Sequence, residues 1–295
     1  MIGFEDRVAI VTGAGAGLGR SHALGLAARG ARLVINDPGP GGAAVVAEIE
    51  AMGGEAMAHG ADVSDPAAVQ DMVALTMARW GRIDILVNNA GILRDKSFAK
   101  MEMADFRRVV DVHLMGSANC CHAVWPIMRA QGYGRLVLTS SGSGLYGNFG
   151  QANYGAAKAA MVGLMNVLHL EGVRDDIRIN VLAPTAATAM TEGLLPEAAA
   201  GLLGAEMITP GVLYLVSEAA PSRTILSAGA GTFAITQIRE TQGVMIEGDI
   251  TPEKIAAQWE AIADPSGAED LENAFAQTRK YARRAALAKG IALDW

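Results

Sequence analysis

Short runs of apolar, largely β-branched residues alternate along most of the chain with longer stretches of helical period. Apolar runs without polar alternation read as strands buried on both faces. Arg7 to Val11 (RVAIV) is the first such run. The glycine-rich turn Thr12 to Gly19 (TGAGAGLG) follows at once, and a helix is predicted from Arg20 to Arg29, ended by Gly30. Arg32 to Ile35 makes the second strand, with Asp37 just beyond it. Ala43 to Met52 is a helix stopped by Gly53 and Gly54, and Glu55 to His59 is a third strand that ends near Asp62 and Val63. Ser64 or Asp65 can cap the next helix, with Pro66 at its first position, Trp80 at its end and Gly81 after it. Ile83 to Val87 is a fourth strand running into Asn88, Asn89, Ala90 and Gly91. Phe106 to Met128 has helical period, with an interruption expected at Gly116 and a kink at Pro126. Arg135 to Thr139 is a fifth strand ending at Ser140 and Ser141. A helix from Asn153 to about Val173 precedes a sixth strand, Ile177 to Leu182, which Pro184 is expected to stop.

From there to Thr209 the composition shifts to Ala, Thr, Leu and Gly, as expected of a mobile flap over a site. Gly211 to Ser217 reads as helix and Ser227 to Thr236 as a final strand. Beyond Arg239 the segments TPEKIAAQWEAI and LENAFAQTRKYARRAALAK read as two amphipathic helices. Strands alternating with helices imply an α/β fold with a doubly wound parallel sheet, here with a C-terminal helical appendage. Residues 1–239 then form one dinucleotide-binding and catalytic domain, and residues 240–295 its helical extension.

Ligands of such sheets bind outside the carboxyl ends of the strands. Gly13, Asp37, Asp62, Asn89, Ser141 and Pro184 all fall there. A glycine-rich turn between strand and helix lets the backbone approach a pyrophosphate, and the helix N-terminus adds free N–H groups. An acid after the second strand matches the acceptor for a ribose 2′-hydroxyl. Strand, glycines, helix, strand and acid in this order point to a dinucleotide site. Tyr154 and Lys158 are an i, i+4 pair on one helix face, downstream of Ser141. An ammonium beside a phenol is expected to lower the tyrosine pKa, so that the phenol can exchange a proton with an alcohol or carbonyl. Ser141 stands where it could hold the substrate oxygen.

Composition narrows the choices further. A net charge of −7 argues against a nucleic-acid partner. The only cysteines, Cys120 and Cys121, are adjacent on an apolar stretch, and the five histidines are scattered, so no disulfide framework and no metal site are expected. The sequence shows no signal peptide, no run of about 18 apolar residues and no SKL-type C-terminus, which makes the cytoplasm the expected compartment and a membrane partner unexpected.

The motifs Thr12-Gly13-x3-Gly17-x-Gly19, Asn88-Asn89-Ala90-Gly91, Ser141 and Tyr154-x3-Lys158 resemble those of the short-chain dehydrogenase/reductase family, over about residues 4–235. Within it, the phrases GILRDKSFAK, SGLYGNFGQANY and GAGTF and the TPE…W helix are most similar to the (3R)-hydroxyacyl-CoA dehydrogenase domains of peroxisomal multifunctional β-oxidation enzymes. The resemblance implies a Rossmann-like fold and NAD as cofactor, held by Gly13, Gly17, Leu18, Gly19, Asp37, Asp62, Val63, Asn89, Ala90, Gly91, Tyr154, Lys158 and Thr188. It implies that Tyr154 is the general acid/base, that Lys158 lowers its pKa and bonds the nicotinamide ribose, and that Ser141 binds the reacting oxygen. His113 stands where the family carries an asparagine, which makes it a candidate for the proton relay or a packed helix residue. Pro184-Thr185 replaces the family's Pro-Gly, and Asp37 to Ala43 is shorter than the related insertion.

The implied function is hydride transfer between NAD and a secondary alcohol or ketone, with (3R)-3-hydroxyacyl-CoA going to 3-oxoacyl-CoA. Alternatives are a 3-oxoacyl-carrier-protein reductase, a hydroxysteroid dehydrogenase, or a catalytically silent NAD-binding protein. The implied partner is a small molecule, an acyl-CoA, and the implied assembly a homodimer or homotetramer. Ile255, Trp259 and Ile262 would close over the acyl chain. The basic run Arg279, Lys280, Arg283, Arg284 and Lys289 reads as a solvated face or as a holder of coenzyme A phosphates.

Overall fold

The first strand, β1 (Val8–Thr12), is buried throughout, as a central parallel strand covered on both faces must be. The computed structural model describes residues 2–187, 198 and 201–293. After β1 come α1 (Gly17–Ala27), β2 (Arg32–Asn36), α2 (Gly41–Ala51), β3 (Ala56–His59), α3 (Pro66–Trp80) and β4 (Ile85–Asn88). The second half has α4 (Met103–Val110), α5 (Gly116–Gln131), β5 (Gly134–Thr139), α6 (Gly142–Tyr146), α7 (Ala152–Gly172), β6 (Ile177–Thr185), α8 (Thr209–Leu215), β7 (Ile225–Gly229) and β8 (Thr232–Thr236). They build one eight-stranded sheet in the order β3-β2-β1-β4-β5-β6-β7-β8. The direction of winding reverses between β1 and β4, so the crevice at their carboxyl ends is the natural ligand site. Ile10 lies between Val34 and Leu86 there, fixing the register of the three strands.

Each face of the sheet carries its own core. Leu26, Leu33, Ile35, Ile49, Val212 and Leu215 fill one side, and Ile10, Met72, Leu86, Cys120, Met128 and Met161 fill the other. Burying a side chain of this size is worth about 1.5–3 kcal/mol. The cysteines belong to that second core. Burial pushes the Cys121 thiol up to about 12 and raises Cys120 as well, so both stay protonated and act as small apolar groups. Local signals close the helices as expected. Asp65 accepts from Ala67 N–H at 2.9 Å, Pro66 opens α3, and Gly81 ends it in the left-handed region.

Four expectations are corrected. Pro184 does not stop β6, which continues to Thr185. The last β5 partner is Thr139, opposite Leu182, so Ala183 to Thr185 pair only with β7, where a missing N–H is tolerated. The single strand expected from Ser227 to Thr236 is a hairpin. Ala230 and Gly231 both have positive φ (48° and 72°), which suits the turn that matches strand twist, and β8 returns antiparallel to β7. The helix expected over residues 106–128 is α4 and α5 joined by one π turn, Asp111–Met115, so the irregularity precedes Gly116. In the C-terminal segment the first helix breaks at Gln258 into α9 (Pro252–Ala257) and α10 (Trp259–Ala263), followed by α11 (Ala274–Ala288).

The chain divides into two compact units, Met1–Thr236 and Gln237–Trp295. Inside the second, the basic run is more than a solvated face. Lys280 pairs with Glu240 at 3.2 Å and donates to the Thr241 carbonyl at 2.7 Å, while Arg284 donates to Gly243 and Gln242. Among the described residues no helix is long and apolar enough to cross a membrane.

Candidate active site

The turn after β1 is shaped by close backbone approach. Gly13 has a φ of 62°, and a Cβ there would stand 2.8 Å from the Ala90 Cα. A Cβ on Gly19 would overlap the Gly13 carbonyl and the Asn89 amide. Asn89 donates from Nδ2 to the carbonyls of Thr12 and Gly13, both at 3.1 Å, and so ties the end of β4 to the glycine loop. Thr12 Oγ1 accepts the N–H groups of Asn89 and Ala90 at 3.0 and 3.1 Å. The Asp37 carboxylate reaches back to the same loop, accepting from Gly15 N at 2.9 Å and Gly39 N at 2.8 Å. Gly13, Asp37, Asn89 and Ala90 thus pack closely around this turn, and Gly17, Leu18 and Gly19 open α1, whose N-terminus has no side-chain cap, which fits a dinucleotide phosphate group.

Asp62 and Val63 lie beyond β3 and are already engaged. Ser64 and then Arg108 hold the Asp62 carboxyl down at about 2 through hydrogen bonds, with Arg108 Nη2 at 2.8 Å. Val63 is buried against Gly116, and its carbonyl accepts from Asn119 at 3.0 Å. Thr188 lies outside the described residues, as does the middle of the expected flap.

Ser141, Tyr154 and Lys158 are brought together at the carboxyl end of β5. Ser141 caps α6, its hydroxyl accepting from Ser143 N at 3.2 Å. Gly144 admits the close packing of α6 on α7, since its Cβ would stand 2.7 Å from the Lys158 backbone. Lys158 is 4% exposed and donates from Nζ to the Thr139 carbonyl at 2.6 Å. Burial pulls its pKa down to about 7. Its Nζ stands 5.7 Å from the Tyr154 ring centroid. The lowered tyrosine pKa expected from this pair is not found. Burial raises Tyr154, the hydrogen bond to Ser141 opposes this, and the charge of Asp95 adds to the rise. Desolvation is the largest of these effects, and the Ser141 hydrogen bond does not offset it.

His113 enters from the π turn with its ring edge-on to Tyr154, at 5.1 Å between centroids and 87° between planes. Its Nε2 lies 2.8 Å from the Ile92 carbonyl and 3.0 Å from Ile92 N. A Cβ on Gly91 would overlap the imidazole, so that glycine admits the ring. Burial, with Lys158 adding to it, lowers His113 to about 3, so it is neutral at physiological pH. The structure links it to the tyrosine ring and to the loop after β4.

That loop is tied to residues at the start of α7 to which the sequence motifs gave no role. Asn153 is fully buried and donates to the Arg94 carbonyl at 2.9 Å. Lys96 N donates to the Gly150 carbonyl at 2.9 Å. Gln151 donates from Nε2 to Asp95 Oδ2 at 2.7 Å, while its Oε1 accepts from Ser143 at 2.7 Å and Asn148 at 3.1 Å. The partners are far apart in sequence, and no spacing announces them.

A family model described as short chain dehydrogenase matches residues 7–198. The chain belongs to the short-chain dehydrogenase family. Its relatives include the peroxisomal multifunctional enzyme type 2 of Drosophila melanogaster, 44% identical over 91% of this chain and 47% of that protein. The solved full-length structure of that enzyme covers 98% of this chain and 51% of its own, with a TM-score of 0.84 and 38% identity. A short-chain type dehydrogenase/reductase of Mycobacterium tuberculosis is 42% identical over 91% of this chain and 98% of its own length. A 7α-hydroxysteroid dehydrogenase, solved with NADH and 7-oxo glycochenodeoxycholic acid, is 31% identical over 78% of this chain and 95% of its own, with a TM-score of 0.72. The chain spans about half the length of the Drosophila multifunctional enzyme or less than that of its yeast counterpart, where it covers 31%.

Proposed function

We propose that this chain is an NAD-dependent dehydrogenase acting on (3R)-3-hydroxyacyl-CoA. The observation that carries the reaction class is the meeting of Ser141, Tyr154 and buried Lys158 at the sheet end that also holds the glycine-rich turn. The substrate reading rests on the loop sequences GILRDKSFAK and SGLYGNFGQANY and on the similarity to multifunctional enzyme type 2.

When bound, a nicotinamide dinucleotide would supply the hydride acceptor for the carbinol carbon. Gly13, Gly17, Leu18 and Gly19 would hold its phosphates, and Asp37 its adenine ribose. A carboxylate at that rim repels a 2′-phosphate, which favours NAD over NADP. Ser141 positions the substrate oxygen, and Tyr154 takes the hydroxyl proton in oxidation and returns it in reduction. Lys158 places a buried amine one helical turn from Tyr154. His113 stays neutral and supports the loop and the tyrosine ring.

The test is turnover of the purified chain with (3R)- and (3S)-3-hydroxyacyl-CoA, a 3-oxoacyl carrier-protein substrate and a 7α-hydroxysteroid, each with NAD and with NADP or their reduced forms. Oxidation of the (3R) thioester with NAD should exceed the other combinations. A faster steroid or carrier-bound reaction, or equal kcat/KM with NADP, overturns the substrate or the cofactor reading.

A further inference from the structure

Ser141 and Tyr154 have to meet at one substrate oxygen, yet they stand on different elements. Ser141 follows β5 and caps α6, whereas Tyr154 lies in the first turn of α7. The connection between the two helices runs through Gly147 and Gly150, both with positive φ (80° and 83°), so the turn itself is permissive. Gly155 brings α7 close to α6, since a Cβ there would stand 3.1 Å from the Ser143 carbonyl oxygen. Contact of that kind fixes how near two helices lie, but not how far one slides along the other.

Gln151 supplies the missing constraint. It is 7% exposed and immediately precedes α7. Its Oε1 accepts from the Ser143 hydroxyl at 2.7 Å and from Asn148 Nδ2 at 3.1 Å, and its Nε2 donates to Asp95 Oδ2 at 2.7 Å. The Ser143 bond ties off the turn between the helices, and Ser143 N in turn donates to the Ser141 hydroxyl at 3.2 Å. The Asp95 bond reaches a different segment, the loop after β4, whose Ile92 meets the His113 ring beside Tyr154. Lys96 N to the Gly150 carbonyl and Asn153 to the Arg94 carbonyl also fasten that loop to the start of α7. Of these three fastenings, that of Gln151 is the one that also reaches α6 among the described residues.

We propose that Gln151 is a positioning residue for the reaction: its oxygen sets Ser141 against Tyr154 by way of Ser143, and its nitrogen sets the loop after β4 against the same helix end. The proposal rests on the dehydrogenase reading. The two arms carry different consequences. A slipped α6 misplaces the substrate oxygen once it is bound, which lowers kcat. A released loop loosens the wall of the site beside His113, which raises KM for the alcohol.

Each arm is cut separately. Gln151→Met keeps the length of the side chain and removes all of its hydrogen bonds. A misplacement of about 1 Å costs up to roughly 100-fold in rate, so kcat should fall by roughly 10- to 100-fold. Ser143→Ala removes the oxygen arm and should lower kcat by roughly 2- to 10-fold, the equivalent of one hydrogen bond, with KM for the alcohol unchanged. Added to Gln151→Met, it should lower kcat no further, because the bond it removes is already gone. Asp95→Ala removes the nitrogen arm and should raise KM for the alcohol with kcat unchanged. Asp95→Asn keeps an oxygen for the Gln151 N–H and should bring KM back toward wild type. KM for NAD should be the same in all of them, since the glycine turn after β1 lies outside this network.

The experiment is steady-state kcat and KM for the preferred alcohol and for NAD in wild type and these five variants. Alongside it, amide hydrogen exchange over residues 92–97 and 143–150 is followed in wild type and Gln151→Met, and should be faster in both segments of the variant. Wild-type kcat in Gln151→Met overturns the proposal, as does an equal loss from Ser143→Ala in both backgrounds. Asp95→Asn and Asp95→Ala with the same KM overturn the nitrogen arm. If Gln151→Met does not fold, Ser143→Ala and the two Asp95 variants decide. If wild type turns over no alcohol, the dehydrogenase reading fails, and unchanged exchange in Gln151→Met separately shows that Gln151 does not hold the two segments.

Discussion

Two cations are buried at opposite ends of β5, and the chain treats them differently. Arg135, at the amino end, is 0% exposed and fully provided for. It donates to the carbonyls of Ser217, Gly134 and Asp176 at 3.1, 2.8 and 2.6 Å, pairs with the Asp176 carboxylate at 2.9 Å, and stacks on Tyr133. Lys158, at the carboxyl end, donates to the Thr139 carbonyl and pairs with no carboxylate among the described residues. Nearby, the Thr139 hydroxyl, the Asn88 side-chain Oδ1 and His113 Nδ1 are buried with no protein partner among the described residues. A satisfied buried charge specifies structure, whereas an under-satisfied one has a shifted pKa and remains available to chemistry. The amino end of the sheet is built for stability and the carboxyl end keeps part of its polar capacity open.

The sharpest way to separate the two ends is Tyr154→Phe. It removes one hydroxyl, so stability should change by no more than about 1 kcal/mol. Turnover should fall by roughly 10²–10⁴-fold, as for loss of a general acid/base. Steady-state kinetics and thermal unfolding of the same preparation check both halves. Near-normal turnover would remove Tyr154 from the proton-transfer role.

Arg135→Met probes the other end and should do the reverse. Four acceptors, on Gly134, Asp176 and Ser217, lose their donor, and leaving a buried acceptor unsatisfied costs about 1–3 kcal/mol. Denaturant unfolding should show this loss, while the fraction that remains folded keeps kcat near wild type. An unchanged midpoint would mean that Arg135 contributes packing alone.

The carboxyl end was much the more legible in sequence. Gly13 and Gly19 announce a backbone approach because only glycine fits, and the i, i+4 spacing of Tyr154 and Lys158 places them together on any helix. The strands before them were legible too, since parallel strands need continuous apolar runs. What escaped depends on contacts between distant segments. Pro184 was read as a stop because its tolerated place, paired on one side beyond the end of β5, is a property of the sheet. The direction of the Tyr154 shift differs from the expected one because spacing gives proximity to Lys158 but not the depth of burial, which raises the phenol. Arg135 looked like an ordinary flanking residue of an apolar run, and its acceptors Asp176 and Ser217 come from remote turns.

The last contrast carries the most specific pH signature. Lys158→Met should abolish most turnover yet stabilise the fold, because the folded protein binds that proton more weakly than the unfolded chain. The ordinary lysine pKa of 10.5 falls to about 7 on folding. Below pH 7 lysine is protonated in both states, and its full burial cost is present. Between pH 7 and 10.5 the unfolded chain holds the proton and the folded one does not, so wild-type stability rises with pH by about 1.4 kcal/mol per unit at most. Above 10.5 both states are neutral and the cost is gone. Methionine carries no such dependence, so its stability advantage over wild type should be largest below pH 7 and shrink steadily toward pH 10. Guanidinium unfolding of both proteins at pH 6, 8 and 10 measures it. A constant difference across that range would show that Lys158 keeps its ordinary affinity for the proton when folded, and the contrast with Arg135 would then be one of geometry and not of charge.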